Sequence, residues 1–258
     1  FFSAQNANVE CKQSSYKFLH LLCRWISRAD GPMSRPAFST DNDYSNSFRA
    51  EKRAPVADSW KEFETPLLAY PAGAELFRQG SKAEEVFCID SGIIKLIRLE
   101  SDGQELIVDL RFPEWLVGAA AVIMEEPYPV TAVTVTPCRL RRISSGVFRY
   151  LLKSEVELSW RVHRMHSRKV YDQVTRISQL ACLPARHRVE YFFVQLLTAL
   201  GINSQQKDIT LPLLLKNSEI AALVAVTPEY FSRMLKHMQT DGLIRVGKGH
   251  LTIPDSQK

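Results

Sequence analysis

The sequence predicts an α+β protein with three parts in chain order: a domain of short antiparallel strands, one long helix, and a small domain of helices with a β-hairpin. Short apolar runs separated by turn residues predict the first part. An unbroken helical pattern from Glu155 to Leu183 predicts the second part, and two short helical patterns within Ser218–Ile244 predict the third. We place the three parts at residues 60–153, 154–183 and 184–258.

The residues before the first strand have a different composition. Asp30 to Pro55 is rich in Ser, Asn, Asp, Arg and Pro and shows little apolar periodicity. A segment of this kind cannot bury enough apolar surface to offset the loss of chain entropy. We therefore expect residues 1–59 to form a disordered tail or extension.

The strand domain is predicted from pairs of turn residues that recur at short, regular intervals between apolar runs. Six apolar or alternating runs are separated by pairs such as Gln79-Gly80, Ser91-Gly92 and Asp102-Gly103, and the last pair is a strong hairpin signal. The runs are Leu76-Phe77, Val86–Ile89, Ile93–Leu99, Leu106–Leu110, Val130–Val135 and Cys138–Ile143. Strands this short and this closely spaced favour a closed sandwich or barrel over a parallel sheet with crossover helices.

Helical patterns follow the strands. A short helix is predicted at Ser144–Leu152 and the long one at Glu155–Leu183, and Pro184 separates the latter from an apolar helix at Arg186–Leu200 that stops at Gly201. In the long helix an apolar seam repeats at intervals of four, three and four residues: Val170, Val174, Ile177 and Ala181. Such a heptad-like seam favours a partner helix. The register continues through polar His163 and Ser167, and an ordinary core helix is the alternative.

The third part predicts a helix-turn-helix. Its first helix has Ile220, Leu223 and Val224 at the spacing of a buried stripe. The hydroxyl of Thr227 is expected to cap the second helix, and Pro228 suits its first position, where no N–H is needed. The apolar side chains of the second helix fall on one face at about 100° per residue. They are Phe231, Met234, Leu235 and Met238.

The opposite face of the second helix carries Glu229, Arg233, Lys236 and Thr240, with Ser232 on its flank. A carboxylate accepts from the amino group of cytosine, and an arginine donates to O6 and N7 of guanine in the major groove. Recognition helices contact bases mainly through their first turns, where Glu229 and Arg233 lie. The alternative is a solvated pair of charges on a surface helix.

A β-hairpin is predicted beside these helices. Ile209–Leu215 alternates as a strand, and glycines frame two further strands at Leu243–Val246 and His250–Ile253. The hairpin forms the wing of a winged helix-turn-helix. Lys248 and His250 lie at its tip, where they can reach the phosphate backbone.

The order of these parts resembles the Crp/Fnr family, which includes the cyclic-AMP receptor protein and the fumarate–nitrate reductase regulator. The resemblance covers about Leu67 to Pro254. Its most specific pieces are the stretch ELFRQGSKAEEVFCIDSGIIKLIRLESDGQE, with Gly80, Gly92 and Gly103, and the TPEYFSR of the second helix. The resemblance implies an antiparallel β-roll, a jelly roll like that of cyclic-nucleotide-binding domains, followed by a dimerisation helix.

The resemblance also implies a function. It implies a bacterial transcription regulator that binds a palindromic operator as a homodimer, through the helix around Val174, and that contacts RNA polymerase. Glu229, Ser232 and Arg233 resemble the fumarate–nitrate regulator branch, which reads TTGAT-type half-sites. The residues we expect at the DNA are Ser218, Thr227, Glu229, Ser232, Arg233, Lys236, Lys248 and His250. Lys216 stands where the family has a capping threonine, and we expect Asn217 or Ser218 to cap instead.

The residues that would bind an effector depart from the family pattern. Members that bind cyclic nucleotides use a glycine–glutamate pair for the ribose and an arginine for the phosphate. The corresponding segment here, Leu116–Val133, has no arginine, and Ala119 follows Gly118. A partly buried phosphate needs a fixed cation or a helix N-terminus, so we expect no cyclic AMP in the usual mode. An unknown effector would contact Gly118, Ala119, Tyr128, Val130 and Thr131.

The sequence gives little indication of a metal ion, an iron–sulfur cluster or heme. The five cysteines are odd in number and widely spaced, without a C-x-x-C pair. This spacing predicts no disulfide framework, no zinc finger and no iron–sulfur cluster of the kind that the family binds. Heme is left open. His163 and His166 share a helix face that suits a metal, but their arginine neighbours favour a basic surface.

The composition of the chain sets only broad limits on its binding partners and its cellular compartment. The chain has 33 Lys and Arg against 28 Asp and Glu, and its net charge of +5 suits an anionic partner without requiring one. No run approaches the roughly 18 apolar residues of a membrane span, and no small-residue cleavage site follows the apolar run Phe18–Ile26. We expect a cytoplasmic protein, since free cysteines suit a reducing compartment.

Two alternatives belong to other classes. A metal-dependent enzyme of the cupin type needs a histidine cluster inside its barrel, and the sequence has no histidine between Pro66 and Ser145. Enzyme motifs such as G-x-S-x-G, the Walker loop and G-x-G-x-x-G are absent as well. The second alternative is an interaction module that kept the fold and lost DNA binding. The intact face with Glu229 and Arg233 argues against it.

Overall fold

The computed structural model describes residues 65–200, 202 and 208–254 of the chain. The predicted tail at residues 1–59 and the helix stop at Gly201 lie outside the described residues. Within them, eleven strands and six helices follow one another in the predicted order, as an antiparallel strand domain, a long helix and a helical domain with a hairpin. No helix in the described part of the chain combines the length and the apolar composition of a membrane span.

The strand domain consists of two four-stranded antiparallel sheets. The first has the order β1-β8-β3-β6 and the second the order β2-β7-β4-β5. The strands are β1 (Leu67–Tyr70), β2 (Glu75–Phe77), β3 (Glu85–Ser91), β4 (Ile94–Leu99), β5 (Glu105–Arg111), β6 (Leu116–Val117), β7 (Thr131–Thr134) and β8 (Cys138–Ser144). The six predicted strands are confirmed with small shifts of their ends, and β1 and β6 are additional.

Strand β3 shows why its sequence is a continuous apolar run. Successive side chains of a strand point to opposite faces. Phe87 and Ile89 enter the core between the two sheets, whereas Val86 and Cys88 enter a second core beneath the helices. All four are buried. A strand covered on both faces has no polar side to alternate with its apolar one.

Three helices accompany the strands. α1 (Ala119–Met124) follows β6, α2 (Ser145–Ser154) follows β8, and α3 (Val156–Cys182) is the long helix of 27 residues. Its N-terminal half buries Leu158 and Val162 against the β-roll. Its ends agree with the predicted Glu155–Leu183.

The C-terminal domain has one core of its own. α4 (Ala185–Ala199), α5 (Asn217–Leu223) and α6 (Pro228–Thr240) pack around a three-stranded sheet in the order β10-β11-β9. Its strands are β9 (Ile209–Pro212), β10 (Arg245–Gly247) and β11 (His250–Ile253). Here β9 ends earlier than predicted and β10 begins later. β9 pairs only with β11, and that ladder ends at the pair Pro212–His250, beside the turn of the hairpin.

Candidate nucleic-acid interface

The helix-turn-helix is formed by α5 and α6. Ile220 and Val224 are buried, as the stripe of α5 predicts, and all four apolar residues on the core face of α6 are buried as well. Phe231 is fully buried and its ring centroid lies 6.5 Å from that of Phe193 on α4. The predicted inner face of α6 is therefore confirmed. Its burial fixes which side of the helix faces outward.

The start of α6 agrees with the sequence. Thr227 has extended backbone angles, and its hydroxyl accepts a hydrogen bond from the backbone N–H of Tyr230 at 3.2 Å. Pro228 occupies the first helical position. A hydroxyl cap of this kind contributes about 1 kcal/mol to helix stability. The first turn of α6, which carries Glu229, is thus held in a defined position.

The turn before α6 depends on an arginine that the sequence did not single out. Ala225 has a left-handed backbone, with φ of 52°, which is unfavourable for a residue with a Cβ. Arg188 on α4 donates to the carbonyl oxygens of Val224 at 2.9 Å and Ala225 at 2.8 Å. A charged donor bound to both carbonyls stabilises the turn. No local pattern marks Arg188 for this role, because the two carbonyl groups that it binds in the turn lie 36 and 37 residues away along the chain.

The outer face of α6 is exposed along its length. Glu229, Ser232, Arg233 and Lys236 all project to solvent. Within the residues that the structure describes, no ion pair joins Glu229 to Arg233. The outer face of α6 therefore offers the carboxylate of Glu229 as an acceptor and the guanidinium of Arg233 and the ammonium group of Lys236 as donors. The Glu229 carboxylate and the Arg233 guanidinium are not paired with each other.

The cap predicted for α5 is wrong. The helix begins at Asn217, so Asn217 and Ser218 lie inside it and neither caps it. Instead the carboxylate of Glu219 accepts from the backbone N–H of Lys216 at 2.8 Å. This is the carboxylate half of a capping box, and it needs no side-chain acceptor at the residue before the helix. Ser218 is exposed in the first turn of α5, and its contact with DNA stays a prediction.

Glu219 also joins the helix-turn-helix to the β-roll. Its carboxylate lies 2.5 Å from the ammonium group of Lys95 on β4. Burial raises the pKa of Glu219, but the hydrogen bonds from Lys95 and from the Lys216 amide outweigh it, and the net pKa is lowered. The carboxylate is therefore ionised at neutral pH. A single side chain both caps α5 and holds it against the strand domain.

The hairpin β10–β11 forms the predicted wing. Gly249 has φ of 76° in its turn, and Lys248 and His250 are exposed there. A ring nitrogen of His250 lies 3.2 Å from the carbonyl oxygen of Lys248. β11 pairs with β9 as well as with β10, so the wing is fixed to the domain. Both predicted residues are exposed at the tip of the wing, and their contact with a phosphate backbone stays a prediction.

The residues proposed for an effector surround the start of α1. Gly118 has φ of 88°, and a Cβ there would lie 2.9 Å from the carbonyl oxygen of Glu85 and 3.0 Å from the ring of Tyr128. The Tyr128 ring stacks on Phe77 with centroids 3.8 Å apart. Its hydroxyl donates to the Glu85 carbonyl at 2.6 Å. The space beside Gly118 is thus occupied by aromatic side chains.

The other effector residues also have partners within the fold. The hydroxyl of Thr131 accepts from the backbone N–H of Gln79 at 3.0 Å, Ala119 is buried, and Val130 packs against the core between the sheets. The structure brings the five residues into one region of the β-roll. Their role toward a ligand stays a prediction.

Two family models match the chain. The model of the cyclic nucleotide-binding domain matches residues 67–155, which cover the two sheets and α2. The model of the Crp-like helix-turn-helix domain matches residues 187–258, which include α5, α6 and the wing. The chain belongs to the Crp/Fnr family of transcription regulators. It is therefore a DNA-binding protein, and the predicted fold and family are confirmed.

Known relatives share most of the chain. A cyclic AMP receptor protein of Thermus thermophilus is 25% identical over 72% of this chain and 83% of its own. The transcriptional activator protein anr of Pseudomonas aeruginosa is 28% identical over 71% of this chain and 75% of its own. The structure of the c-di-GMP-responsive regulator CLP of Xanthomonas campestris shares the fold, with a TM-score of 0.64, 24% identity, and 77% and 99% of the two chains covered.

Proposed function

We propose that this regulator binds a palindromic site in double-stranded DNA as a homodimer, with one α6 in the major groove of each half-site. The observation that carries the proposal is the exposed, charged outer face of α6 on a helix whose inner face and cap are fixed. In helix-turn-helix proteins the corresponding helix contacts base edges with its N-terminal residues. Glu229 and Arg233 lie in its first two turns.

A second copy is supported by the surface of α3. Eight residues of this helix follow one another at alternating intervals of four and three, and all are exposed in the single chain. They are Val156, Trp160, His163, Ser167, Val170, Val174, Ile177 and Ala181, which we call the dimer seam. Val170, Val174 and Ile177 remain 64%, 59% and 66% exposed. An exposed seam with a heptad period, apolar except at His163 and Ser167, suits the same seam of an identical helix.

The upstream half of the dimer seam is more apolar than the sequence suggested. His163 and Ser167 are polar, but the register continues to Trp160 and Val156, and the Trp160 and His163 rings stack with centroids 5.6 Å apart. The stacked pair adds two aromatic rings to the seam. The whole length of the helix, about 40 Å at 1.5 Å per residue, is then available for pairing.

We infer that the effector is not cyclic AMP bound in the usual mode. The segment Leu116–Val133 has no arginine for the phosphate, and Phe77 and Tyr128 fill the space beside Gly118. The names of the relatives do not decide the question, since one is a cyclic AMP receptor and another responds to c-di-GMP. An effector that changed the packing of the β-roll on α3 would re-aim the two recognition helices.

Selection of bound sequences from random double-stranded DNA tests this function. We expect enrichment of an inverted repeat whose half-site centres lie 10 to 10.5 base pairs apart, or about 34 Å, as two recognition helices require. The predicted TTGAT-type half-site would appear in both arms. Enrichment of a single half-site would refute the dimeric mode, and the absence of any enriched sequence would support an interaction module without specific DNA binding.

A further inference from the structure

A cavity of about 160 Å³ lies where the three parts of the protein meet. Its walls come from the end of β5, the C-terminal half of α3, the face of α4 and the last residues of α5. A cavity of about 150 Å³ in another protein holds one benzene molecule, so this space suits a ligand of one ring. Phe112, Trp115 and Phe192 form an aromatic part of the wall.

One side of this cavity carries more positive than negative groups. The carboxylate of Asp109 is shared by the Arg111 guanidinium at 3.1 Å and the Lys169 ammonium at 2.5 Å. The nearest second carboxylate, Asp172, is paired with Arg168 at 3.4 Å. Asp172 also attracts Arg111 and Lys169, so three cations, Arg168 included, share two carboxylates around this part of the cavity. Burial lowers the pKa of Arg111 and of Lys169, although Asp109 opposes this effect in both.

Arg111 has capacity for one more acceptor. Its side chain is only 16% exposed, and among the described residues no atom accepts a hydrogen bond from its buried Nε. Its guanidinium lies over the Trp115 ring at 5.0 Å from the centroid. A buried donor without an acceptor is destabilising, because it has lost its hydrogen bond to water. A ligand oxygen beside Arg111 would remove this penalty and balance the local charge.

The same cavity adjoins the contacts that fix the helix-turn-helix. Arg176 on α3 donates to the carbonyl oxygen of Val108 on β5 at 2.7 Å and to that of Leu223 on α5 at 3.2 Å. Arg176, Leu223 and Arg188, which holds the turn before α6, all line the cavity. A ligand here would contact the strand domain, the long helix and the DNA-binding domain at once.

We propose that this cavity is an effector site for a small aromatic carboxylate, whose carboxylate pairs with Arg111 and Lys169 and whose ring packs against Phe112 and Phe192. It is separate from the region around Gly118. The effect on DNA binding rests on the function proposed above, whereas binding of the ligand does not. Occupancy shifts the position of α5 relative to β5, because both line the cavity.

Direct binding of benzoate to the full chain tests this site, with benzamide as the neutral compound of equal size. We measure both by ligand-observed NMR titration to 20 mM, without DNA. We expect saturable benzoate binding and benzamide binding at least tenfold weaker, because the amide supplies no charge for Arg111. Equal affinity for the two compounds, or no benzoate binding, would overturn the proposal.

Three variants locate the binding. Arg111→Met is expected to weaken benzoate at least tenfold, and Ala199→Leu, which fills the cavity from α4 without changing its charge, at least as much. Arg98→Met removes an exposed arginine of β4 paired with Glu100 and serves as the control, with unchanged affinity. If Arg111→Met does not fold, the benzoate affinity of Ala199→Leu alone decides whether the ligand binds in this cavity. Benzoate affinity unchanged in Ala199→Leu places the ligand elsewhere and refutes the site.

The effect on DNA is measured separately. Benzoate is expected to change the affinity of the wild-type chain for its selected DNA at least threefold and that of Ala199→Leu by less than 1.5-fold. Loss of DNA binding in every condition refutes the proposed function and leaves the ligand titration valid. Benzoate binding with unchanged DNA affinity refutes the effector role alone.

Discussion

Val174 lies in the middle of the dimer seam, and its replacement by alanine tests the homodimer. The side chain is 59% exposed in the single chain. Full burial of a valine contributes about 1.5 kcal/mol, so burial of the exposed part contributes about 0.9 kcal/mol per copy. Because a two-fold seam contains the residue twice, Val174→Ala is expected to cost about 1.8 kcal/mol of dimerisation free energy, or roughly a 20-fold rise in the dimer dissociation constant.

Sedimentation equilibrium over a range of protein concentrations measures this constant directly. The matched control is Val246→Ala on β10 of the wing, which removes the same two methyl groups from a valine that is 39% exposed but far from the dimer seam in sequence. We expect less than a twofold change for the control. Equal effects of the two variants, or a wild-type chain that stays monomeric at high concentration, would refute the assignment of the seam.

Two further predictions concern stability. Phe231→Ala empties a fully buried site in the C-terminal core and is expected to lower the free energy of unfolding by about 3–5 kcal/mol, measured by urea denaturation; a loss below 1 kcal/mol, like that expected for exposed Tyr230→Ala, would contradict the packing. Glu219 has a lowered pKa in the folded chain, so its ionised form stabilises the fold above the ordinary glutamate range and this contribution is lost as the pH falls through the lowered value. At neutral pH, Glu219→Gln is therefore expected to have a lower free energy of unfolding than the wild type, and this difference is expected to disappear on acidification. A difference that does not depend on pH would contradict the contact with Lys95.

The elements were predictable where a local pattern marks them. The buried face of α6 follows from a period of 3.6 residues, its cap from Thr227 and Pro228, and the hairpin β4–β5 from Asp102-Gly103. These signals depend on residues within one or two turns of each other. The outer face of α6 followed from the same period, which is why its exposed residues were identified correctly.

The contacts between domains had no such signal. Lys95 and Glu219 are 124 residues apart, and Arg176 is 68 residues from Val108 and 47 residues from Leu223. Sequence periodicity does not predict a contact between residues of different domains, because such a contact forms only when the folded domains pack together. Strand β6 was missed because two residues are too few for a period to appear, and β1 was missed because none of its four residues is fully buried and its LLAY sequence does not alternate between apolar and polar side chains. The cap of α5 was misplaced because Glu219 supplies the acceptor from inside the helix.

Base recognition by Arg233 is the central claim, and the affinity of Arg233→Ala for a panel of single-base variants of the selected operator tests it most directly. The change is expected to cost about 1–3 kcal/mol on the best site and to remove preference at one position of each half-site. Lys248→Ala at the wing is the comparison, since loss of a phosphate contact weakens all sequences equally and lowers the salt slope by about 1. If Arg233→Ala instead weakens every sequence equally and keeps the full base preference, α6 does not read the bases through Arg233 and the account is wrong.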